Sequence, residues 1–291
     1  MTLDQTLRHY RKELGFSQEK LAEKLHVSRQ AITKWETGGG LPDISNLQAI
    51  AQLFQISLDD LLAESASPIE PKDFLYQSYT SYDIDRPKHF DLNLASSQTI
   101  YLQARANEKI QIRLASNSIK NLEQACKIKL DDSRDLLDLQ LRTSADLSES
   151  TCKEDLMIFL TLPKNYLRDV DVKANCQSLN LLDLDLDNLE LDGRASEVSL
   201  TDCQGHIELN NKLDCQIKLN SFSGRLDLNQ ISCSSKVYLP KDFDFVARKK
   251  GLTTKLAFEK AGQPTNDFSN PEADNTIELN GIKSELTVIQ E

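Results

Sequence analysis

The chain has 291 residues, of which 39% are hydrophobic and 27% charged, and its formal net charge is −11. This length is enough for about two domains, and the composition is ordinary for a soluble globular protein. No apolar run approaches the roughly 18 to 20 residues that span a bilayer. The N-terminus also lacks the features of a signal peptide. We therefore expect a cytoplasmic protein with no membrane segment.

The first 65 residues predict an all-α domain of five short helices. The apolar residues of the first helix recur at helical spacing and are Leu3, Leu7, Tyr10 and Leu14. Gly15 should end this helix, and Pro42 with Asp43 should open the fourth. Ser57 and Asp60 form a capping-box-like start to the fifth helix.

The second and third predicted helices are joined by a very short turn. Ser17 is placed to cap a helix that runs to about Leu25, and Ser28 is placed to cap the next one, which extends to Thr37. His26 lies in the joint, where the chain needs a residue that tolerates a positive φ, and His is enriched in that conformation. This arrangement predicts a helix-turn-helix.

The third predicted helix has an apolar face and a polar face. Ala31, Ile32 and Trp35 share the apolar face. The polar face consists of Arg29, Gln30, Thr33, Lys34 and Thr37. These side chains provide hydrogen-bond donors suited to base edges and phosphates. Residues 8–36 hold seven Lys or Arg against four acids, although residues 1–65 together carry a net charge of −2. The polar face is therefore the candidate DNA-reading surface.

The stretches LRHYRKELGFSQEKLAEKLHVSRQAITKWETG and LPDISNLQAIAQLFQISLDDLL lie within residues 5–62. They resemble the lambda-repressor-like, xenobiotic-response-element class of bacterial helix-turn-helix domains, except that His26 replaces the usual turn Gly. The resemblance implies that Gln18 contacts the DNA backbone. The residues that it places toward the major groove are Ser28, Arg29, Gln30, Thr33 and Lys34. It also implies that Trp35 packs in the core and that Glu36 pairs with Arg11.

The expected function is that of a bacterial transcription regulator, a repressor or autoregulator that binds double-stranded operator DNA. Because the motif carries few cations and one recognition helix reads few base pairs, we expect a homodimer. One alternative is a helical domain that has lost DNA binding. Another is an interaction module, antitoxin-like or regulatory, that docks a partner such as a toxin or a sigma factor.

A linker is expected between the two domains, because residues 65–89 show no sustained helical or strand period. The prolines of this stretch are Pro68, Pro71 and Pro87. Tyr76, Tyr79 and Tyr82 recur every three residues, which is compatible with a partner-binding strip, but we expect them to pack against their own domain. The predicted divisions are a DNA-binding domain at 1–64, the linker at 65–89 and a second domain at 90–291.

The second domain contains a repeat of about nineteen residues. Each repeat has two apolar-polar-apolar triplets, the pattern of a strand with one buried face. The first series of triplets starts at Val170, Leu189, Ile207 and Leu226. The second series starts at Leu179, Val198, Ile217 and Val237. This pattern predicts an all-β domain that forms a parallel β-solenoid, at least over 165–245, with strands stacked rung on rung.

Three pieces of this domain are similar to the bacterial putative-adhesin β-solenoid domains of unknown function. They are LMIFLTLPKNYLRDVDVKANCQSLNLLDLDLDNLELDG, FSGRLDLNQ and KVYLPKDFDFVARKKG. The resemblance implies a fold and no ligand. We expect this domain to provide the dimer contact or to sense a ligand or protein whose identity stays open.

No catalytic residue, metal site or cofactor is predicted, and we expect no enzyme. The acidic run at 181–192 lacks the glycine-rich nine-residue repeats of calcium-binding β-rolls. The cysteines form no Cys-x-x-Cys pair, and His89 and His206 do not lie at metal-ligand spacing from them. The six cysteines are 126, 152, 176, 203, 215 and 233. We expect them to pack in the core, with a redox pair, Cys203–Cys215 or Cys215–Cys233, as the alternative.

Overall fold

A computed structural model describes residues 3–14, 16–37, 39–54, 56, 61 and 74–290. The chain divides into two compact units, Met1–Asp73 and Phe74–Glu291, which we call the helical unit and the strand unit. None of the helices in these described ranges combines the length and apolar character that crossing a membrane requires.

The helical unit contains helices α1 Leu3–Glu13, α2 Gln18–Leu25, α3 Arg29–Glu36 and α4 Ile44–Phe54. The buried apolar residues of these helices form one cluster with Leu61, and its members are Leu7, Leu21, Ala22, Leu25, Ile32, Trp35, Ile50, Ala51, Phe54 and Leu61. Leu14, which follows the last residue of α1, does not join this cluster and is 45% exposed. Ser57 and Asp60 of the fifth predicted helix lie outside the described residues, whereas Leu61 is helical and fully buried.

The strand unit contains seventeen strands. They are β1 Tyr76–Asp83, β2 Lys88–Arg105, β3 Lys109–Ser116, β4 Cys126–Asp132, β5 Leu136–Thr143, β6 Met157–Pro163, β7 Leu167–Leu182, β8 Asp185–Thr201, β9 Cys203–Asn211, β10 Gln216–Leu219, β11 Phe222–Ile231, β12 Ser234–Leu239, β13 Val246–Leu252, β14 Lys255–Lys260, β15 Gln263–Thr265, β16 Thr276–Ile282 and β17 Glu285–Gln290. Two short helices, α5 Leu122–Ala125 and α6 Glu149–Asp155, and a 3-10 turn at Lys164–Tyr166 lie between strands.

The apolar triplets of successive repeats lie opposite one another in parallel strands. In the first series, Val170 pairs with Leu189, and Ile207 pairs with Leu226. In the second series, Val198 pairs with Ile217. The eight first residues of the two series are at most 2% exposed. The repeat therefore builds continuous apolar columns through the core of the strand unit.

The order of strands in space departs from their order in the chain at both ends of the stack. Strand β2 lies between β7 on one side and β5 with β6 on the other. The last two strands of the chain, β16 and β17, lie between β11 with β12 and β13 with β14. The stack thus ends on β13 and on β14, which also pairs antiparallel with the short strand β15.

The predicted linker at 65–89 is too long at its C-terminal end. Residues 76–83 form β1, which pairs antiparallel with β3 along its whole length. The strand escaped the sequence analysis because its side chains are mainly Tyr, Ser and Thr, so apolar residues do not alternate along it. Since neighbouring side chains in a strand point to opposite faces, Tyr79 lies on the other face from Tyr76 and Tyr82. The three tyrosines therefore do not form one strip. Residues 65–73 lie outside the described ranges.

Candidate nucleic-acid interface

The turn between α2 and α3 is set by His26. This residue has φ 55° and ψ 38°, and its N–H bonds back to carbonyls of α2, as predicted for the joint. The hydroxyl oxygens of Ser17 and Ser28 accept the amides of Lys20 and Ala31, each at 3.1 Å, and so cap the two helices. The tight turn and the two caps determine the direction in which α3 leaves α2.

Helix α3 separates a buried face from an exposed one. Ile32 and Trp35 are 1% and 8% exposed and pack in the core of the helical unit. The residues that remain exposed are Ser28, Arg29, Gln30, Thr33, Lys34 and Thr37. Neither Arg29 nor Lys34 forms an ion pair with another described residue. Both cations are therefore available to an anionic partner.

Glu36 is the centre of a polar network beneath this surface. Its carboxylate is 1% exposed and accepts Arg11 Nε at 2.5 Å and Arg11 Nη2 at 2.9 Å. Gln18 Nε2 donates to the same carboxylate at 2.9 Å. Burial disfavours the ionised form of Glu36, but the hydrogen bonds from Arg11 and Gln18 outweigh it and lower its pKa. The network ties α1 and α2 to the end of α3.

Gln18 extends the network to the exposed face. Its Oε1 accepts the hydroxyl of Thr33 at 3.2 Å, while its Nε2 donates to Glu36. An amide nitrogen carries two hydrogens, so one N–H of Gln18 is left to donate. Gln18 is half-buried at the start of α2. The network thus orients a side chain for which the family resemblance implies a contact with the DNA backbone.

Residues 7–61 match a family model described as helix-turn-helix. These residues form a helix-turn-helix domain. The relatives include the transcriptional activator BcrR of Enterococcus faecalis, 41% identical over 63 residues, which are 22% of this chain and 31% of BcrR. The phage CTXphi transcriptional repressor RstR of Vibrio cholerae is 33% identical over 67 residues, or 23% of this chain and 60% of RstR. The matches thus span less than two thirds of either relative.

The strand unit has a different set of similar structures. A putative cell adhesion protein from Clostridium sporogenes aligns with 74% of this chain and 100% of its own length, at 11% identity and a TM-score of 0.36. A putative adhesin from Bacteroides fragilis aligns with 75% of this chain and 98% of its own, at 14% identity and a TM-score of 0.28.

One contact of the helix-turn-helix domain escaped the sequence analysis. Arg8 Nη2 donates to the backbone carbonyl of Glu36 at 2.8 Å, and so adds a second link between α1 and α3. Its position three residues before Arg11, on the same face of α1, was the available signal.

Both histidines of the strand unit contact a carboxylate. His89 and His206 contact Asp171 and Asp227 at 3.1 and 3.0 Å. All six cysteines are buried and free. Burial raises the pKa of Cys176 and Cys215 to about 12. Thiols with such pKa values are poor nucleophiles at neutral pH.

Proposed function

We propose that this chain is a transcriptional regulator that binds operator DNA through the exposed face of α3. One observation carries the proposal: the polar residues of α3 stand together in solvent while the opposite face and Glu36 are buried. Such a surface is organised before DNA arrives, so binding costs little reordering. The names of the relatives, an activator and a repressor, support the same class of function.

Each residue of the face has a role in this proposal. Arg29 and Gln30 lie in the first turn of α3 and are assigned to base edges, where a recognition helix reads the major groove. Lys34, in the last turn, is assigned to phosphate. The remaining N–H of Gln18 and the hydroxyl of Ser28 are assigned to the DNA backbone, and Thr33 contacts the groove beside Gln18.

The strand unit completes the regulator in this proposal. We infer that its parallel columns form a β-solenoid, which acts as a dimerisation or sensing domain. A homodimer would place two α3 helices on half-sites about 34 Å apart. The protein would act in the cytoplasm as a repressor, including of its own gene.

Binding to DNA fragments selected from the genome of the source organism tests this function. Arg29→Ala should weaken binding by about 1–3 kcal/mol and relax base preference at one position. Lys34→Ala should weaken binding evenly across sequences. It should also reduce the slope of the logarithm of the binding constant against the logarithm of the salt concentration by about one. Lys218→Ala removes an exposed cation of β10 and serves as the control.

Equal binding by all three variants would contradict the assignment of the α3 face. A purified protein that binds no duplex at low salt but forms a stoichiometric protein complex resistant to nuclease would support the interaction module instead.

A further inference from the structure

The two ends of the strand unit differ in how they protect their unpaired strand edges. At one end, β13 pairs with β16 and carries Arg248, Lys249 and Lys250, all exposed. Lys249 lies in register with Leu279, which is fully buried, so a charge occupies the inward position of the last strand. Charged and inward-pointing residues on an edge prevent another strand from pairing with it. The edge of β13 is therefore blocked.

At the other end, β1 has none of these features. It is eight residues long, YQSYTSYD, and contains no Lys, Arg, Pro or Gly. Its one charged residue is Asp83, at its end. Among the strands that the structure describes, β3 alone pairs with it. A regular edge of this length, with a single charge at one end, is a template for another strand.

The sequence of β1 is nearly symmetric about Tyr79. In an antiparallel pair of two β1 strands centred on this residue, Tyr79 lies opposite Tyr79 of the second copy. Ser78 then lies opposite Thr80, and Tyr76 lies opposite Tyr82. Aromatic and hydroxyl pairs of this kind stabilise neighbouring strands, and no two like charges meet. Tyr79 is 61% exposed, so its ring is free to make this contact.

We propose that β1 pairs with β1 of a second copy of this chain and forms a twofold dimer. The same surface then serves both partners, as a twofold interface requires. The purpose of this dimer rests on the proposed function, since an operator with two half-sites needs two recognition helices. Tyr76 follows Leu61 of the helical unit by 15 residues, a chain length of at most about 50 Å. Pairing at β1 therefore keeps the two helix-turn-helix domains within reach of neighbouring half-sites.

Sedimentation of the full chain without DNA tests the interface. The wild type should sediment as a dimer. Tyr79→Lys should raise the dimer dissociation constant about tenfold or more, because it removes an aromatic pair and places two ammonium groups opposite each other. Leu252→Lys makes the same kind of change at a residue 72% exposed on β13 and should leave the dimer intact. Circular dichroism of each variant verifies that the strands still form.

A cross-link provides a second measurement. Directly opposite residues in an antiparallel pair have Cα atoms about 4.5–5.5 Å apart, which falls within the range of disulfides. Oxidised Tyr79→Cys should therefore form a covalent dimer, and Leu252→Cys should not. The six native cysteines are buried and should contribute little background.

The outcomes separate this proposal from the proposed function. A monomeric wild type, a dimer unaffected by Tyr79→Lys, or a dimer lost in Leu252→Lys would overturn pairing at β1, whether or not DNA binds. A dimer that depends on Tyr79 in a protein that ignores DNA would support the interface and overturn the regulator.

Discussion

The helical unit and the strand unit stabilise their cores in different ways. In the helical unit, one buried carboxylate, Glu36, accepts hydrogen bonds from side chains of α1 and α2 and so connects three helices. In the strand unit, the same apolar position recurs in every repeat, and each column is buried along the stack. The helical unit therefore adds to its apolar core a polar network that depends on a few particular residues, whereas the strand unit distributes its stability over many equivalent ones.

The carboxylates of the two units show the same contrast. Hydrogen bonds from Arg11 and Gln18 overcome the burial of Glu36 and lower its pKa. In the strand unit, burial and the neighbouring charges of Glu208, Asp171 and Asp192 raise the pKa of Glu190. The pKa of an acid that accepts several hydrogen bonds is thus lowered, whereas the pKa of an acid in a row of acids is raised.

The largest expected effect is that of Glu36→Ala on the helical unit. The change removes the carboxylate to which Arg11 Nε and Nη2 donate and leaves, among the described residues, only the bond from Nη1 to the carbonyl of Phe16. Breaking such a buried pair costs about 3–5 kcal/mol. Trp35 is the one tryptophan of the chain and lies in the helical core, so its fluorescence during urea unfolding reports this unit. Glu23→Ala, which breaks the exposed pair with Lys20, should leave the urea midpoint of the Trp35 signal nearly unchanged, because an exposed ion pair is screened by solvent.

The same carboxylate makes the stability of the helical unit depend on pH in the acid range. Because the pKa of Glu36 is lowered in the folded state, its contribution is present above the unfolded pKa and is lost as the pH falls through the folded value. The free energy of unfolding of the helical unit, followed by Trp35 fluorescence, should therefore decrease in acid. The part of this decrease that comes from protonation of Glu36 should be absent in Glu36→Ala. An unchanged acid dependence in the variant would contradict the role of Glu36.

Ile207→Ala should have the next largest effect, on the strand unit. Ile207 is fully buried in the first apolar column, and removing such a side chain costs about 2–5 kcal/mol. Unfolding followed by far-ultraviolet circular dichroism should show the loss of stability, while the midpoint of the Trp35 fluorescence transition should not change. The matched control is Ile231→Ala, at a residue 70% exposed on β11, which should change stability by less than about 0.5 kcal/mol.

Gly205→Ala tests how closely the stacked strands approach. Gly205 has φ +126°, and a Cβ there would lie 1.9 Å from the carbonyl oxygen of Leu186. Strain and displacement of the neighbouring backbone should together cost about 3 kcal/mol. Gly262 also has a positive φ, +72°, but nothing lies within 4 Å of its Cβ position. Gly262→Ala should cost about 1–2 kcal/mol. If thermal unfolding showed the same loss of stability in both variants, the close approach of the backbone at Gly205 would be unimportant.

Glu190→Gln should have the smallest effect, and a favourable one. The raised pKa of Glu190 means that its contribution to stability is greatest below the unfolded pKa and is lost as the pH rises through the folded value. Removing the charge should therefore stabilise the strand unit at pH 7, by less than about 1 kcal/mol, and make little difference in acid. Glu197 lies between Ser178 and Gln216 in neighbouring strands, so Glu197→Gln provides a control without an acidic neighbour across the strands. A destabilised Glu190→Gln at pH 7 would contradict this account.

The sequence determined the local structure of both units. Ser17, His26 and Ser28 predicted the two caps and the turn, because helix ends impose specific backbone and hydrogen-bond requirements on single residues. The nineteen-residue repeat predicted which residues lie opposite each other in the middle of the stack, such as Val170 and Leu189. Both kinds of prediction depend on neighbours in the chain or on a constant step along it.

The tertiary structure decided the rest. The pairing of β16 with β11 and of β17 with β12 could not be predicted from the sequence. Every strand with an apolar-polar-apolar pattern presents the same kind of face to the core, so the pattern does not specify which strand it pairs with. Strand β1 could not be predicted either, since most of its side chains are exposed or half-buried and it therefore needs no alternating apolar residues. The hydrogen bonds that link Thr33 to Gln18 and Gln18 to Glu36 depend on how α2 and α3 cross, and that geometry comes from packing. Periodicity specifies which face of a strand or helix is buried, and packing selects the partner that buries it.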